Sequence, residues 1–152
     1  MDPELRELYQ EVIIDHGRHP RNFRRLDGAG RCREGYNPIC GDQLELCIHL
    51  SDDGRIDDVA FQGQGCAISM ASASLLTETV RGMTGPEARA LVDALQRMLH
   101  GEALADDSQL GKLRVLAGVR EFPSRVKCAT LSWHALLSAL EPHEADDPVS
   151  TE

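Results

Sequence analysis

The sequence is short of positive charge and contains no long apolar run. Its 16 lysine and arginine residues are outnumbered by 25 aspartate and glutamate residues, and the net charge is −9. Because phosphate backbones and anionic lipid surfaces attract positive charge, this balance argues against nucleic acid or a membrane surface as a partner. No apolar run approaches the roughly 18 residues that a membrane span needs, and the first residues lack the basic and apolar parts of a secretory signal. We therefore expect a cytoplasmic protein with protein partners.

The sequence also lacks the short motifs of several common enzyme classes. It has no Gly-x-x-x-x-Gly-Lys phosphate loop and no Gly-x-Ser-x-Gly elbow, which argues against nucleotide hydrolysis and serine esterase chemistry. No compact Cys-x-x-Cys pair is present, but the chain contains five cysteines. In a reducing compartment this odd number favours metal binding or thiol chemistry over a disulfide framework, and it leaves a transient redox pair open.

The order of helical and strand patterns predicts the fold. Apolar residues at three- and four-residue steps predict an amphipathic helix over residues 3–16. Alternation over residues 43–50 and a return run over 55–62 predict an antiparallel hairpin, and residues 32–36 are a candidate short strand. Further helices are predicted over residues 66–81, over 86–99, within 106–118, and after Pro123 with Ser124 as the cap and Pro142 as the stop.

These elements predict one α+β domain over residues 1–141, with a small, mostly antiparallel sheet covered by helices. Residues 142–152 are acidic and poor in apolar side chains, which predicts a disordered tail.

Four residues are candidates for a metal site. Cys66 and Cys128 lie near predicted helix starts, where unpaired backbone N–H groups and the helix dipole favour negative charge on sulfur. This matters because the thiolate, and not the thiol, binds metal. Cys40 and Asp42 flank Gly41, whose conformational freedom would let both side chains point the same way.

Three sulfurs and one carboxylate oxygen can complete a tetrahedral zinc site. A hard oxygen among soft sulfurs is the ligand most readily exchanged, which suits a site that opens for chemistry. The spacing leaves an alternative open, since cysteine is among the most frequently buried residues and each thiol could be inert. That alternative is weakest for Cys40, which lies in a Gly-Asp turn. Cys32 and Cys47 are predicted to be ordinary packed or partly exposed thiols, and His16 is predicted to favour the carboxyl end of its helix.

Four segments resemble, in order, the motifs of the IscU/NifU-like family of iron–sulfur cluster assembly proteins. They are residues 8–16 with 20–22, 37–42, 61–69 and 125–129. The resemblance implies an IscU-like fold with a metal site at a loop and at helix N-termini. It also implies that the ligands or sulfur-accepting residues are Cys40, Asp42, Cys66 and Cys128.

Within this family the chain is more similar to the SufU branch than to the scaffolds. Scaffold-type members carry a histidine immediately before the third cysteine, where this chain has Lys127. Many bacterial scaffolds then continue with Leu-Pro-Pro-Val-Lys, whereas residues 129–133 here read Ala-Thr-Leu-Ser-Trp. Residues 102–123 also resemble the insertion that separates the SufU branch from the scaffolds. The resemblance implies bound Zn²⁺ and a sulfurtransferase that accepts sulfur from a pyridoxal-phosphate cysteine desulfurase of the SufS type and relays it to a downstream iron–sulfur assembly scaffold.

Cys40 is the predicted catalytic residue, because a loop moves more easily than a helix start. Our hypothesis is that Cys40 leaves the metal when a ligand of the docked desulfurase replaces it, and then takes the sulfur. Arg125 is a candidate auxiliary residue that could pair with Asp42 or offset the negative charge of the thiolates.

Two alternatives to a sulfurtransferase remain open. The first is a scaffold on which a two-iron iron–sulfur cluster is assembled, because iron and zinc can share these ligands. The second is a protein in which zinc is purely structural.

Overall fold

A four-stranded sheet carries helices on its apolar face in the computed structural model. The structure describes residues 3–26, 30–38, 40–102, 108–141 and 149–150. In chain order the elements are α1 (Pro3–Arg18), β1 (Arg31–Asn37), β2 (Asp42–Leu50), β3 (Ile56–Gln64), α2 (Ala67–Val80), α3 (Gly85–Leu99), a 3₁₀ segment (Ser108–Glu121), α4 (Pro123–Leu140) and β4 (Val149–Ser150). The strand order is β3-β2-β1-β4, and β1, β2 and β3 pair antiparallel. The predicted α+β class is therefore confirmed.

The β2–β3 hairpin forms as predicted and supplies much of the core. Leu46 lies opposite Phe61 and Ile48 lies opposite Val59. All four side chains are at most 1 % exposed. Because burying each such side chain contributes about 1.5 to 3 kcal/mol, this pairing holds β2 firmly in the sheet. Asp42 is the first residue of β2, so the packing of β2 in the sheet also fixes the position of Asp42.

The candidate strand at residues 32–36 is confirmed as part of β1, which pairs with β2 and places Asn37 opposite Asp42. The chain then reverses, and the backbone N–H of Gly41 donates to the Asn37 carbonyl at 2.9 Å. Gly41 has a φ of 72°, a left-handed conformation that side chains with a Cβ disfavour. The reversal therefore needs glycine, and it brings Cys40 next to the start of β2.

Helices α2 and α4 pack against each other through a buried polar contact. The indole Nε1 of Trp133 donates to Ser72 Oγ at 2.9 Å, and Ser72 Oγ donates to the Ala129 carbonyl at 2.5 Å. Trp133 is fully buried, and α4 also packs on β1 and β2. These contacts fix the two helices that carry Cys66 and Cys128. Of the helices that the structure describes, none has both the length and the apolar character that crossing a membrane demands.

One predicted helix cap is wrong, and one predicted helix has a different type of turn. Helix α4 begins at Pro123 and has Phe122 as its N-cap without a side-chain hydrogen bond, so Ser124 lies inside the helix and does not cap it. The helix predicted within residues 106–118 is present as a 3₁₀ segment that runs from Ser108 to Glu121. Gly111 interrupts that segment with φ 51° and ψ −125°, a conformation that no regular helix contains.

The prediction of a disordered tail over residues 142–152 differs from the structure at two residues. Val149 and Ser150 form β4, which pairs in parallel with Gly35 and Tyr36 of β1. The unpaired backbone groups of an edge strand accept an added extended segment irrespective of its composition, which is why composition alone did not indicate this strand. The remainder of the predicted tail that follows Glu141 lies outside the described residues.

His16 is buried between α1 and α2. It is 1 % exposed, its Nδ1 is 2.7 Å from Ser74 Oγ, and its Nε2 is 3.6 Å from a carboxylate oxygen of Glu78. Burial, followed by the charge of Arg21, lowers the pKa of His16 below its ordinary value of 6.5, although Glu78 opposes the change. The prediction that His16 serves the helix end as a charged group does not account for this burial.

We expect His16 to make stability depend on pH. Below about pH 6.5 the unfolded chain protonates His16 while the folded chain resists, because the pKa is lower in the folded state. Its stabilising contribution is thus fully present above about pH 6.5 and is lost as the pH falls toward the folded-state pKa. Urea unfolding between about pH 7.5 and about pH 5 should show a shallower decline for His16→Gln than for the wild type.

The control is His100→Gln, since His100 is exposed and lies at the end of α3. It should keep the wild-type slope. The partly buried His134, whose pKa is also lowered by burial, is present in all three proteins and adds the same pH dependence to each. An equally steep decline in His16→Gln would contradict the assignment.

Candidate metal centre

Three parts of the fold converge on one buried cluster. The β1–β2 reversal contributes Cys40 and Asp42, the N-cap of α2 is Cys66, and α4 contributes Cys128 in its second turn. One ligand atom from each of Cys40, Asp42 and Cys128 lies within 4.8 Å of the other two. The Sγ atoms of Cys128 and Cys40 are 3.0 Å apart. The structure thus gathers residues that are 88 positions apart in the chain.

Exposure differs within the cluster. Asp42 is fully buried and Cys128 is 1 % exposed, whereas Cys40 is only half-buried. Cys66 is half-buried as well, so a partner molecule can reach either of these two thiols more directly than Cys128.

Asp42 is held by hydrogen bonds from both sides. The backbone N–H of Cys66 donates to Asp42 Oδ1 at 2.8 Å, and Asn37 Nδ2 donates to Asp42 Oδ2 at 3.4 Å. A Cβ at position 65 would lie 2.7 Å from Asp42 Oδ1, so Gly65 leaves room for the carboxylate. These contacts fix the orientation of Asp42 toward the cysteines.

Cys66 adjoins the cluster but is not one of the three residues whose ligand atoms lie closest together. Its Sγ accepts a hydrogen bond from the backbone N–H of Ser69 at 3.4 Å, which makes Cys66 the side-chain cap of α2. The predicted position at a helix start is confirmed for Cys66. Its role as a fourth ligand stays a prediction, supported by the bond between its own backbone and Asp42.

Asn37 is a site residue whose role the sequence did not indicate. It is fully buried, and its Nδ2 lies 3.4 Å from Cys128 Sγ as well as 3.4 Å from Asp42 Oδ2. A single amide thus contacts two candidate ligands. The signal that could have found it is the strand register, because Asn37 lies directly opposite Asp42.

Burial raises the pKa of the Cys128 thiol, and hydrogen bonds with Cys40 and Asp42 add to the rise, followed by the charge of Cys66. The sequence predicted the opposite tendency from the helix dipole alone. In the folded chain, desolvation and the neighbouring acidic groups raise the thiol pKa by more than the helix dipole lowers it. Several acidic donors packed together need a cation before they can all carry their charge.

Arg125 supplies part of that positive charge. Its Nη1 donates to Cys40 Sγ at 3.6 Å. Interaction with Cys128, followed by the charges of Cys66 and Cys40, raises the pKa of the guanidinium. Of the two roles considered for Arg125, these contacts favour the one that offsets negative charge on the sulfurs.

The residues present fit a zinc ion. The donor set is soft sulfur with one carboxylate, and thiolate ligands favour zinc or iron over magnesium or calcium. The cluster lies where a strand end and two helices meet, so the ligands are oriented by rigid elements. The same residues would also accept iron, so the donor chemistry alone does not separate the two metals.

A second cysteine pair corrects the sequence prediction. Cys32 and Cys47 are joined by a disulfide with a Cα–Cα distance of 4.0 Å, so the prediction of two ordinary thiols is wrong. The physical reason is the β1–β2 register, which places these two residues directly opposite each other. Such an opposition brings Cβ atoms close enough for bonding.

Comparisons with known proteins agree with the fold. The NifU-like N terminal domain family matches residues 8–129. An iron-sulfur cluster assembly scaffold protein IscU from Streptococcus pyogenes is 41% identical over 138 residues, which cover 91% of this chain and 86% of that protein. The zinc-dependent sulfurtransferase SufU of Bacillus subtilis is 39% identical over 140 residues, which cover 92% of this chain and 94% of the relative.

A solved structure gives the same result. The crystal structure of a protein from Fervidobacterium islandicum, described there as a candidate iron-sulfur cluster assembly scaffold for the SUF system, superposes with a TM-score of 0.82 at 34% identity. The match covers 89% of this chain and 98% of that one. The resemblance inferred from the four sequence motifs is confirmed. The chain therefore belongs to the NifU-like N-terminal domain family of iron–sulfur cluster assembly proteins.

Proposed function

We propose that this protein is a zinc-dependent sulfurtransferase that accepts persulfide sulfur from a cysteine desulfurase of the SufS type and relays it to iron–sulfur cluster assembly in the cytoplasm. The observation that carries the proposal is the position of Cys40, a half-buried thiol on the β1–β2 reversal beside the buried Asp42 and Cys128. Cys66 is half-buried as well, but its sulfur caps α2 by accepting the backbone N–H of Ser69. The similarity to the relative named as a zinc-dependent sulfurtransferase supports it. Lys127 supports it as well, because scaffold-type members carry a histidine at that position and this chain does not.

Cys40, Asp42, Cys66 and Cys128 are the residues that would hold Zn²⁺. The bound ion would keep the cysteine sulfurs as thiolates near neutral pH. Asn37 orients the Asp42 carboxylate and Cys128 Sγ through one amide group. Arg125 places a positive charge beside Cys40 Sγ, which stabilises a thiolate there as well.

The sulfur transfer is an exchange at a sulfur–sulfur bond. Cys40 Sγ, as a thiolate, attacks the outer sulfur of the desulfurase persulfide. A new S–S bond forms on Cys40, the original S–S bond breaks, and the desulfurase cysteine leaves as a thiolate. The outer sulfur keeps its proton, and no external oxidant or reductant is needed. A relay to an assembly scaffold repeats the same exchange in the next protein.

A surface next to the centre is suited to the desulfurase. Phe122 and Ile14 are 58% and 48% exposed, and both line an apolar cavity of about 300 Å³ between α1 and the 3₁₀ segment. Ile68 also lines this cavity and follows Cys66 by two residues, while Phe122 is the N-cap of the helix that carries Cys128. Exposed apolar groups beside a reactive site are typical of a protein docking surface.

Cysteine turnover tests the proposal. The cognate desulfurase should form alanine from cysteine severalfold faster when the zinc-loaded chain is present, because an acceptor removes the persulfide that blocks the next cycle. Protein stripped of zinc by a chelator should not stimulate. No stimulation by the zinc-loaded chain would overturn the sulfurtransferase assignment.

The scaffold function is the second candidate, because the relative from Streptococcus pyogenes carries that name at 41% identity. Metal analysis separates the two functions. Protein purified without air should be colourless and contain zinc if it is a sulfurtransferase, whereas a brown protein with iron and sulfide would support the scaffold.

A further inference from the structure

The disulfide between Cys32 and Cys47 lies outside the metal centre. Side chains alternate between the two faces of a strand, so Cys47 points to the face opposite that of Asp42, Leu44 and Leu46. Cys47 lies five positions after Asp42, which corresponds to about 16 Å of strand. The pair therefore forms a second sulfur site that the proposed transfer does not use.

The two sulfurs differ in access to solvent. Cys32 is an exposed residue of β1, whereas Cys47 is only 5% exposed. A thiol from solution can thus reach the Cys32 side of the bond, and the Cys47 side is shielded. An exposed disulfide exchanges readily with external thiols, in contrast to a buried structural one.

We propose that Cys32 and Cys47 form a reversible dithiol–disulfide site that exchanges with an external dithiol through Cys32. A reducing compartment does not maintain an exposed disulfide permanently, so a reversible pair reconciles the bond with the cytoplasmic compartment proposed above. The partner is a dithiol protein or small dithiol, and its own disulfide is the oxidant for the reverse reaction.

The exchange balances in two steps. In reduction, a thiolate of the dithiol attacks Cys32 Sγ, a mixed disulfide forms on Cys32, and Cys47 leaves as a thiolate that takes up a proton. The second thiol of the partner then attacks the partner's own sulfur in the mixed disulfide, and Cys32 leaves as a thiolate that takes up a proton. The partner is thereby oxidised by two electrons to its disulfide, and the Cys32–Cys47 bond is reduced by two. Oxidation runs the same steps backward, with Cys47 attacking Cys32 Sγ to expel the partner.

Glu45 is placed to assist the internal step. It lies two residues before Cys47 on the same strand face, and its Oε1 is 3.8 Å from Cys47 Sγ. When Cys47 is reduced, this carboxylate can accept the thiol proton as Cys47 attacks Cys32. Glu45 is therefore a positioning and proton-accepting residue for ring closure.

The bond also restrains the hairpin that carries Cys40. Its cysteines are 15 positions apart, and the enclosed segment contains the whole β1–β2 reversal. Closing such a loop limits the freedom of the chain. The oxidised form should therefore resist thermal unfolding more than the reduced form.

The test uses the full zinc-loaded chain, equilibrated with reduced and oxidised dithiothreitol at a series of ratios and then alkylated. Peptide mass analysis should find Cys32 and Cys47 alkylated together at reducing ratios and unmodified at oxidising ratios, from either starting state. The oxidised form should unfold about 6 to 12 °C higher than the reduced form. In Glu45→Gln, reoxidation should be slower at neutral pH. The equilibrium ratio of oxidised to reduced protein should change less than the rate does.

A matched pair of variants tests the order of attack. Cys47→Ser should accumulate a mixed disulfide on Cys32 when treated with oxidised glutathione, whereas Cys32→Ser should leave Cys47 almost unmodified because Cys47 is shielded. Equal modification of both variants would overturn the order. Thiols that never pair at any ratio, or a bond that dithiothreitol cleaves only in denaturant, would overturn the proposal. None of these measurements involves sulfur transfer, so their failure would leave the proposed function untouched.

Discussion

The Cys40→Ala protein should accept labelled sulfur from the desulfurase at less than about one hundredth of the wild-type rate, since it lacks the attacking atom. Cys40 is a half-buried thiol of the cluster, and Arg125 Nη1 lies 3.6 Å from its sulfur. Both features suit a group that must meet a persulfide carried by another protein. Single-turnover transfer of ³⁵S from the loaded desulfurase, resolved by mass or by non-reducing gel, measures the rate.

The control must separate the loss of an acceptor from the loss of a metal ligand, because Cys40 is assigned both roles. Cys128→Ser removes a buried candidate ligand and keeps Cys40. Zinc content is measured for each protein beside the transfer rate. At equal zinc content, Cys40→Ala should be the slower acceptor. If it takes up sulfur as fast as the wild type, the acceptor is another cysteine, and Cys66 is the next candidate.

The local patterns of the sequence predicted the parts of this fold that depend on neighbouring residues. Alternation along β2 and β3 indicated the hairpin, because side chains of a half-buried strand alternate whatever lies farther away. The helix predicted over residues 66–81 is present as α2, which Cys66 caps. The Gly41 turn was predicted from its single glycine and has the positive φ that glycine permits.

Features that depend on pairing between distant segments were not predictable in this way. The Cys32–Cys47 bond depends on the register between β1 and β2, which no local pattern specifies. The burial of His16 depends on how α1 packs on α2, and the position of Asn37 in the site depends on the same strand register. The metal cluster is an intermediate case, because the motifs identified its residues while only the fold shows which sulfurs lie together.

Asp42→Asn should weaken zinc binding by at least about 100-fold, which corresponds to about 2.7 kcal/mol of zinc-linked stability. Asp42 is fully buried and is surrounded by candidate sulfur ligands. The asparagine keeps the size of the side chain and can still accept the hydrogen bond from the Cys66 backbone. It loses the negative charge, and a neutral amide oxygen is a poor zinc ligand. Competition with a chromophoric chelator measures the affinity.

The two metal states distinguish a ligand from a structural carboxylate. With zinc bound, urea unfolding of Asp42→Asn should show the full loss of stability. After chelation the difference should shrink, because the substitution also removes a negative charge from a buried cluster of acidic groups, where that charge has no dication to pair with. Asp53→Asn is the matched control, since Asp53 has a side chain that is 66% exposed, and it should leave zinc affinity unchanged.

Wild-type zinc affinity in Asp42→Asn would limit Asp42 to its hydrogen bonds with Cys66 and Asn37. A fourth ligand would then have to come from outside this set of residues. An equal loss of stability with and without zinc would point the same way, because a purely structural carboxylate acts on the folded chain regardless of the metal. The proposed centre requires the loss to follow the zinc, since the buried carboxylate is justified energetically only by the cation that it helps to bind.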